Sequence, residues 1–503
     1  MIDTAASTSE SDGQSHTRQT GFTLAVSVPA LQAAQAAAQV MGDIGKVDDP
    51  RMQALALVGA VSSAADAVKA AQAITSGASV SLSFGESRSD SSQSSQSSTA
   101  LASTVTAAGN VSVHATGSGA ASTLSVHGSD IQGGGHVQLA ADGALDLQAA
   151  QDTDAQSSKN ASSSASIGVS VGTSGFMVNV ALAMANGKTQ SSDVTQRNTH
   201  VNGQSVSLSS GGDMTLDGAV VSGNQVSAKV GGNLSMQSLQ DTSDFSASQK
   251  SMSVSASVGE GASSVSGSAS NANVHGSFAS VQEQTGIKAG DGGFRVSVAG
   301  TTDLKGAVIE SSQAAADQGK NSFTTAALTQ SDLQNHDSYQ AISVQASAGT
   351  SQDNRNITPE NPTGRNSSMN TGIGAAGGTQ SSTTRSGISA GAITLTSDAA
   401  QQALTGQTAA QVVASLAPGS AASITTAQDT TGALTKKWNG QHLLSEVQAE
   451  SQITAAALPP LANAIGTVMD GQAQSLRSQA AAATDATTRQ NLLNEAAKYD
   501  EGG

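Results

Sequence analysis

Eight histidines, at positions 16, 114, 127, 136, 200, 275, 336 and 442, are the side chains best suited by type to move protons or hold a metal near neutral pH. They are scattered along the chain, and no pair stands at metal-ligand spacing with a carboxylate nearby. The closest His–carboxylate neighbours, His127 and Asp130, flank a glycine turn, where capping or solvent exposure is the expected role. The glycine-rich runs Gly128–Gly135 and Gly290–Gly293 carry neither the Lys-Ser/Thr ending of a phosphate loop nor a dinucleotide fingerprint. Gly211-Gly212-Asp213 and Gly231-Gly232-Asn233 do not continue into the Gly-Gly-x-Gly-x-Asp repeat of calcium-binding coils. A polysaccharide lyase would need Asp, Arg and Lys clustered on one strand face. The strand positions here carry Ser, Thr, Gln and Asn, and Arg295 and Lys305 are lone charges. No catalytic, cofactor-binding or metal-ligating residue is therefore assigned, no cofactor is expected, and the chain does not read as an enzyme.

The composition agrees. With no cysteine, disulfides, thiolate metal sites and thiol nucleophiles are all excluded. A net charge of −16, with no basic run longer than Lys436-Lys437, argues against a nucleic-acid partner, which would need a basic stripe. Aromatic residues make up 2% of the chain, so any core must be built from Val, Leu, Ile, Ala and Met. Such a core is thin. Abundant glycine (53) and scarce proline (7) suit many short hydrogen-bonded strands joined by tight turns. The chain opens on polar sequence without a signal peptide, and no apolar run is long enough for a membrane-spanning helix. An internal fragment, with its export signal upstream, is the expectation.

The elements follow from periodicity. Phe22–Val28 alternates as a strand; Ala30–Met41 and Arg51–Ile74 read as a helical hairpin inserted between strands. From residue 79 the pattern has period two, with Ser87–Ser98 read as a serine-rich loop. A short motif then recurs, glycine turn followed by apolar-x-apolar: Gly109–Val113, Gly135–Leu139, Gly143–Leu147, Gly212–Leu216 and Gly232–Met236, with a longer variant at Gly293–Val298. Glycine or asparagine would take the positive φ of each turn. A longer repeat overlies the motif: Gln151-Asp152-Thr153 recurs 89 residues later as Gln240-Asp241-Thr242. Such repeats point to a solenoid.

The expected fold is mainly β. It is a right-handed parallel β-helix over residues 79–350, preceded by a strand and helical hairpin (1–78) and followed by a polar linker (351–392) and a helical segment (393–503). Coils of roughly 20 residues would make a rod about 70 Å long at the usual strand spacing. Val111, Leu145, Leu234 and Val296 should be buried. Ala399–Ala417, Thr435–Leu458 and Ser475–Tyr499 are helix candidates, punctuated by Pro418-Gly419 and Pro459-Pro460. Ile167–Val180 and Met252–Val258 alternate apolar with small polar residues. They read as an edge hairpin beside the rod, or as strands able to change partners at a membrane.

Thr285–Phe294, Thr302–Ile309 and Leu328–Asn335, in that order, resemble the haemagglutinin repeat of two-partner-secretion exoproteins of the filamentous-haemagglutinin and contact-dependent growth-inhibition type. Gly231–Leu234 and Gln240-Asp241-Thr242 fit the same family, and Glu446–Thr454 is similar to the segment leading towards a pretoxin region. The resemblance implies a secreted, cell-surface stalk. Its implied partners are an outer-membrane secretion partner and a target-cell outer membrane or surface receptor. The implied role is delivery of a C-terminal toxin, or adhesion without toxin cargo.

Overall fold

A computed structural model describes residues 1–27, 79–172, 175–354, 361–416, 429–482 and 485–502, with scattered positions between them. The helical hairpin expected over 30–74 lies, apart from single positions, outside the described residues.

Short strands stack in parallel, and their apolar residues fall into columns. Leu124, Leu145, Met214 and Leu234 are successive Cα partners, as are Val126, Leu147, Leu216 and Met236. On a second sheet Ile131, Val201, Val221, Ile287, Ile309 and Ile388 form another column. All of these side chains are buried. Period two sends alternate residues inward, and parallel register then sets like on like. Each buried Leu, Val or Ile contributes about 1.5–3 kcal/mol. Val111, Leu145, Leu234 and Val296 are all in this core. Thr302 interrupts one column and donates its hydroxyl to Thr325 Oγ1 at 3.0 Å.

The chain is not parallel throughout. Four long hairpins leave the ladder: Ala5–Ser27 with Ser79–Leu101, Ala150–Gly172 with Gly175–Arg197, Asp241–Gly259 with Ala262–Ser280, and Leu333–Asp353 with Arg365–Thr384. They lie side by side, in chain order, as one eight-stranded antiparallel sheet. This corrects the all-parallel expectation, and the reason lies in the repeat. Leu145 pairs with Met214, 69 residues on, and Met214 with Leu234 after only 20. The long step contains a hairpin and the short one does not; together they make the 89-residue repeat. Each repeat adds two rungs to the ladder and two strands to the flanking sheet. Both stack at about 4.8 Å, so the hairpins meet without a gap.

Further expectations change with this. The six-stranded ladder extends only about 24 Å along its axis at that spacing, because most of the sequence goes into hairpins. Ser87–Ser98, read as a loop, lies within the strand Ser79–Leu101. Ile167–Val180 and Met252–Val258 belong to hairpin strands that are paired on both sides, so they are not edges. Much of 351–392, read as linker, is the last hairpin strand together with two ladder strands, Gly387–Ser389 and Ala392–Leu395.

The motif glycines also have a different cause. Gly293 has φ 72°, but Gly109, Gly135, Gly143, Gly212 and Gly232 have no positive φ. At Gly135, Gly143 and Gly232 the neighbouring rung excludes a side chain, whereas Gly109 and Gly212 have room for one. A Cβ at Gly143 would run into the Ala120 carbonyl oxygen, and one at Gly232 into the Asp213 carboxylate.

A 43-residue helix, Gly440–Ala482, then crosses the sheet and is followed by a helix over Ala486–Gly502. Pro459 and Pro460 do not end the long helix. They fall where it leaves the sheet: Ala457 is buried, whereas Leu458, Leu461 and Ile465 are exposed. Earlier in the segment, Asp398–Thr405 and Ala409–Ser415 are short helices.

Candidate interaction surface

The antiparallel sheet has two unlike faces, set by the alternation of its strands. On one face a row reads Phe22, Phe84, Ile167, Val180, Ala256 and Val265 across six strands. The next row towards the tips reads Leu24, Leu82, Val169, Val178 and Val258. Phe22 is 75% exposed, and most of the others are more than a third exposed. Every exposed large hydrophobic side chain of these eight strands lies on this face except Leu101, at the foot of its strand. Monomeric proteins seldom leave a contiguous patch of this kind uncovered beyond about 300–600 Å². Five strands by three such rows, the third being Val26, Val80, Val171 and Phe176, span roughly 500 Å² at 4.8 Å and about 6.7 Å, near the upper end of that range.

Towards the ladder the same face carries charges of both signs, with Glu86, Asp90, Asp12, Glu10 and Asp244 among its basic residues. Arg18 and Arg88 are Cα partners, as are Lys159 and Lys188, and Lys250 lies one row away opposite Asn186. Arg18 is held by Glu86 at 2.7 Å and His16 by Asp90 at 2.7 Å.

The opposite face is lined with hydroxyls. Ser251–Ser270, Ser253–Ser268, Ser255–Ser266 and Ser257–Ser264 pair through their Oγ atoms at 2.6–2.7 Å. Nearer the ladder this face is apolar and covered by the long helix: Phe245, Ala247, Ala272, Val274 and Ala341 pack with Trp438, Leu443, Leu444 and Val447. Trp438 donates its indole N–H to Asp337 Oδ1 at 2.7 Å. Gln380 and the Lys437 backbone N–H donate to Asp337 Oδ2. Three donors satisfy a carboxylate that is otherwise out of water. Gly374 lets the helix approach, since a Cβ there would meet the Val447 carbonyl oxygen.

The histidines are distributed differently from the sequence reading. Asp130 pairs with His200 rather than His127, because the parallel ladder sets His200 on Asp130. His200 Nδ1 lies 2.9 Å from Asp130, and Nε2 lies 3.0 Å from Glu283. The Glu283 hydrogen bond, helped by Asp130, lifts the imidazole to about 9 against the opposing effect of burial. The same bond to His200 holds Glu283 below the usual carboxylate range. His127 instead faces Asp3 at 3.4 Å. Among the described residues no group of three His, Asp or Glu side chains is arranged to hold a metal, and no helix is long and apolar enough to cross a membrane. The Lys159–Lys188 juxtaposition and the His200 pair depend on strand register over tens of residues, and no local motif signals them.

Residues 83–252 match the family described as Hemagglutinin repeat. The chain is 35% identical over 418 residues to the "Deoxyribonuclease CdiA" of Dickeya dadantii, covering 80% of this chain and 12% of that protein. It is 33% identical over 522 residues to a "tRNA nuclease CdiA" of Burkholderia pseudomallei, covering 100% of this chain and 38% of the relative. It is 30% identical over 393 residues to the "Toxin CdiA" of Escherichia coli, at 74% and 12% coverage. The chain thus spans well under half the length of the curated relatives it matches. No solved structure matches it.

Proposed function

Because the chain carries a haemagglutinin-repeat region of the CdiA type, we propose that it is the non-enzymatic stalk of a secreted, bacterial cell-surface exoprotein that presents a C-terminal toxin and helps deliver it to neighbouring bacteria. An outer-membrane secretion partner exports it, and the outer membrane or a surface receptor of the target cell receives it. The parallel rungs are, in this reading, the coils of a right-handed parallel β-helix. Residues 79–350 are its repeats, and 393–503 is the helical segment that leads towards the cargo. The nuclease activities in the relatives' names are not assigned to this stretch.

The observation that carries the proposal is the joint stacking of ladder and hairpin sheet. The apolar columns run through successive rungs, and every hairpin is braced by the next. A body built this way suits holding and displaying, and its outer face is a broad surface for contact with another cell.

The test is an in-frame deletion of whole 89-residue repeats from the full exoprotein, which keeps the register of the remaining rungs. Export and surface display should persist while killing of neighbouring cells falls. Undiminished killing with repeats removed would refute the proposal.

A further inference from the structure

We infer that the outer edge of the strand Ala5–Ser27 pairs with the same strand of a second copy of this chain, antiparallel about a two-fold axis at Gln14. The two edges of the eight-stranded sheet are unlike. At one, Arg365–Thr384 gives backbone groups to the long helix: Ala375 donates its N–H to Glu450 at 2.9 Å, and the Ile373 carbonyl accepts from Thr454 Oγ1 at 3.0 Å. At the foot of that strand the Arg385 N–H is taken by the Thr430 carbonyl. At the other edge Ala5–Ser27 pairs with Ser79–Leu101 alone, and among the described residues nothing else bonds its backbone. Its register is unbroken over 23 residues, and it holds no proline and no lysine. Bulges, prolines and lysines are what ordinarily blunt an exposed edge.

The side chains of this bare strand are arranged as their own complement. Glu10, Asp12, Gln14, His16 and Arg18 occupy alternate positions, and so one face. Pairing about Gln14 sets Glu10 opposite Arg18 and Asp12 opposite His16, each twice over. A shift of two residues in either direction leaves only one such kind of pair, Glu10 with His16 or Asp12 with Arg18. Edge charges of a single sign repel a second copy, whereas these attract one in a single register. The groups are within reach. The His16 and Arg18 side chains are 73% and 63% exposed even with Asp90 and Glu86 beside them. Glu10 accepts one hydrogen bond, from Gln96 at 3.1 Å, and Asp12 has no partner among the described residues. Paired positions are both even or both odd, so the outward backbone groups of the two strands meet and the apolar face runs on across the axis. Phe22 then lies beside Ala6 of the second copy. A preceding coil of the same polypeptide would also fit this edge, but it would not require Ala5–Ser27 to complement itself. The interface does not depend on the proposed delivery.

The chain has no cysteine, so a single introduced thiol reports the geometry. At the axis Gln14 faces its own copy with Cα atoms about 4.5–5.5 Å apart, within reach of a disulfide. Under mild oxidation Gln14→Cys should therefore give a covalent dimer of the 503-residue chain. Thr8→Cys should not, because its two copies lie roughly 40 Å apart along the paired strands. Mixed with Thr20→Cys it should, because Thr8 and Thr20 stand opposite each other. Sedimentation of the unaltered chain should show a reversible dimer that weakens with salt. Arg18→Glu, which turns two opposite-charge pairs into like-charge pairs, should weaken that dimer roughly 10- to 100-fold, and Glu10→Arg in the same chain should restore it.

A chain that stays monomeric at every concentration, equal cross-linking by Gln14→Cys and Thr8→Cys alone, or no rescue by Glu10→Arg would overturn the inference. So would loss of the Gln14→Cys dimer in the full exoprotein displayed on cells, which would place a preceding coil on this edge. Failure of delivery with the dimer intact would sink the proposed function and leave this interface standing.

Discussion

Gly374 offers a direct test of how the C-terminal segment is held. It faces the long helix, and a single added methyl meets the carbonyl oxygen of Val447. Gly374→Ala therefore forces the helix away from the sheet by something near 1 Å. A gap of 0.5–1 Å already forfeits about a quarter to a half of the dispersion well. Trp438, Leu443, Leu444 and Val447 are the buried helix-side residues of this contact. At about 2 kcal/mol each their burial amounts to roughly 8 kcal/mol, so the loss should be about 3 kcal/mol. Trp438 is the only tryptophan, so its fluorescence reports this contact without labelling. The variant should show red-shifted emission and a lower denaturant midpoint for the fluorescence transition. Gly377→Ala, on the same strand but the other face, has 3.3 Å of clearance to its nearest neighbour and serves as the control. If Gly374→Ala leaves emission and midpoint where Gly377→Ala leaves them, the helix does not pack through this position and the docking argument fails.

Two other perturbations read out different parts of the molecule. Leu216→Ala, in a fully buried column, should cost about 2–5 kcal/mol in urea unfolding, whereas Leu82→Ala on the uncovered face should cost well under 1 kcal/mol; equal costs would contradict the assignment of core and surface. The His200 pair should make stability fall as pH rises. Its pKa is raised from 6.5 to about 9, so its contribution is complete below pH 6.5 and lost between 6.5 and 9. The full shift would be worth some 3 kcal/mol, but with the side chain 31% exposed, screening leaves about 1 kcal/mol. His200→Gln should remove that slope from denaturation curves at pH 6 and 9.5, and an unchanged slope would count against it.

How much of this was legible in the sequence depends on what each residue faces. The columns were legible because Leu145, Leu147, Leu234 and Met236 combine period two with a fixed offset, and burial enforces both. The hairpin strands carry the same alternation, so Val169 and Val254 look like ladder residues. Only the identity of the paired strand tells them apart, and composition does not encode it. Ser87–Ser98 passed for a loop because neither of its faces buries a large side chain, which leaves periodicity nothing to register. Residues 365–384 passed for a linker because Gly372 and Gly374, which normally weaken a strand, are there to admit a helix more than 60 residues further on. Arg88, Lys159, Lys188 and Lys250 come from four different strands, so no stretch of the sequence sets them together.

The 89-residue repeat carries more information than a count of coils. A coil length by itself predicts a long rod, and that expectation failed here. What the repeat specifies is a ratio: one plain coil to one hairpin-bearing coil. Because ladder rungs and antiparallel strands share a spacing of about 4.8 Å, that ratio is the one at which successive hairpins abut. One hairpin per coil would crowd the sheet with four strands for every two rungs; one in three coils would leave each hairpin isolated, and an isolated hairpin is marginal in water. The alternation of 20- and 69-residue steps thus turns weakly specified, serine-rich strands into a continuous sheet. It also explains how apolar rows from four separate hairpins, distant in sequence, come to form a single face.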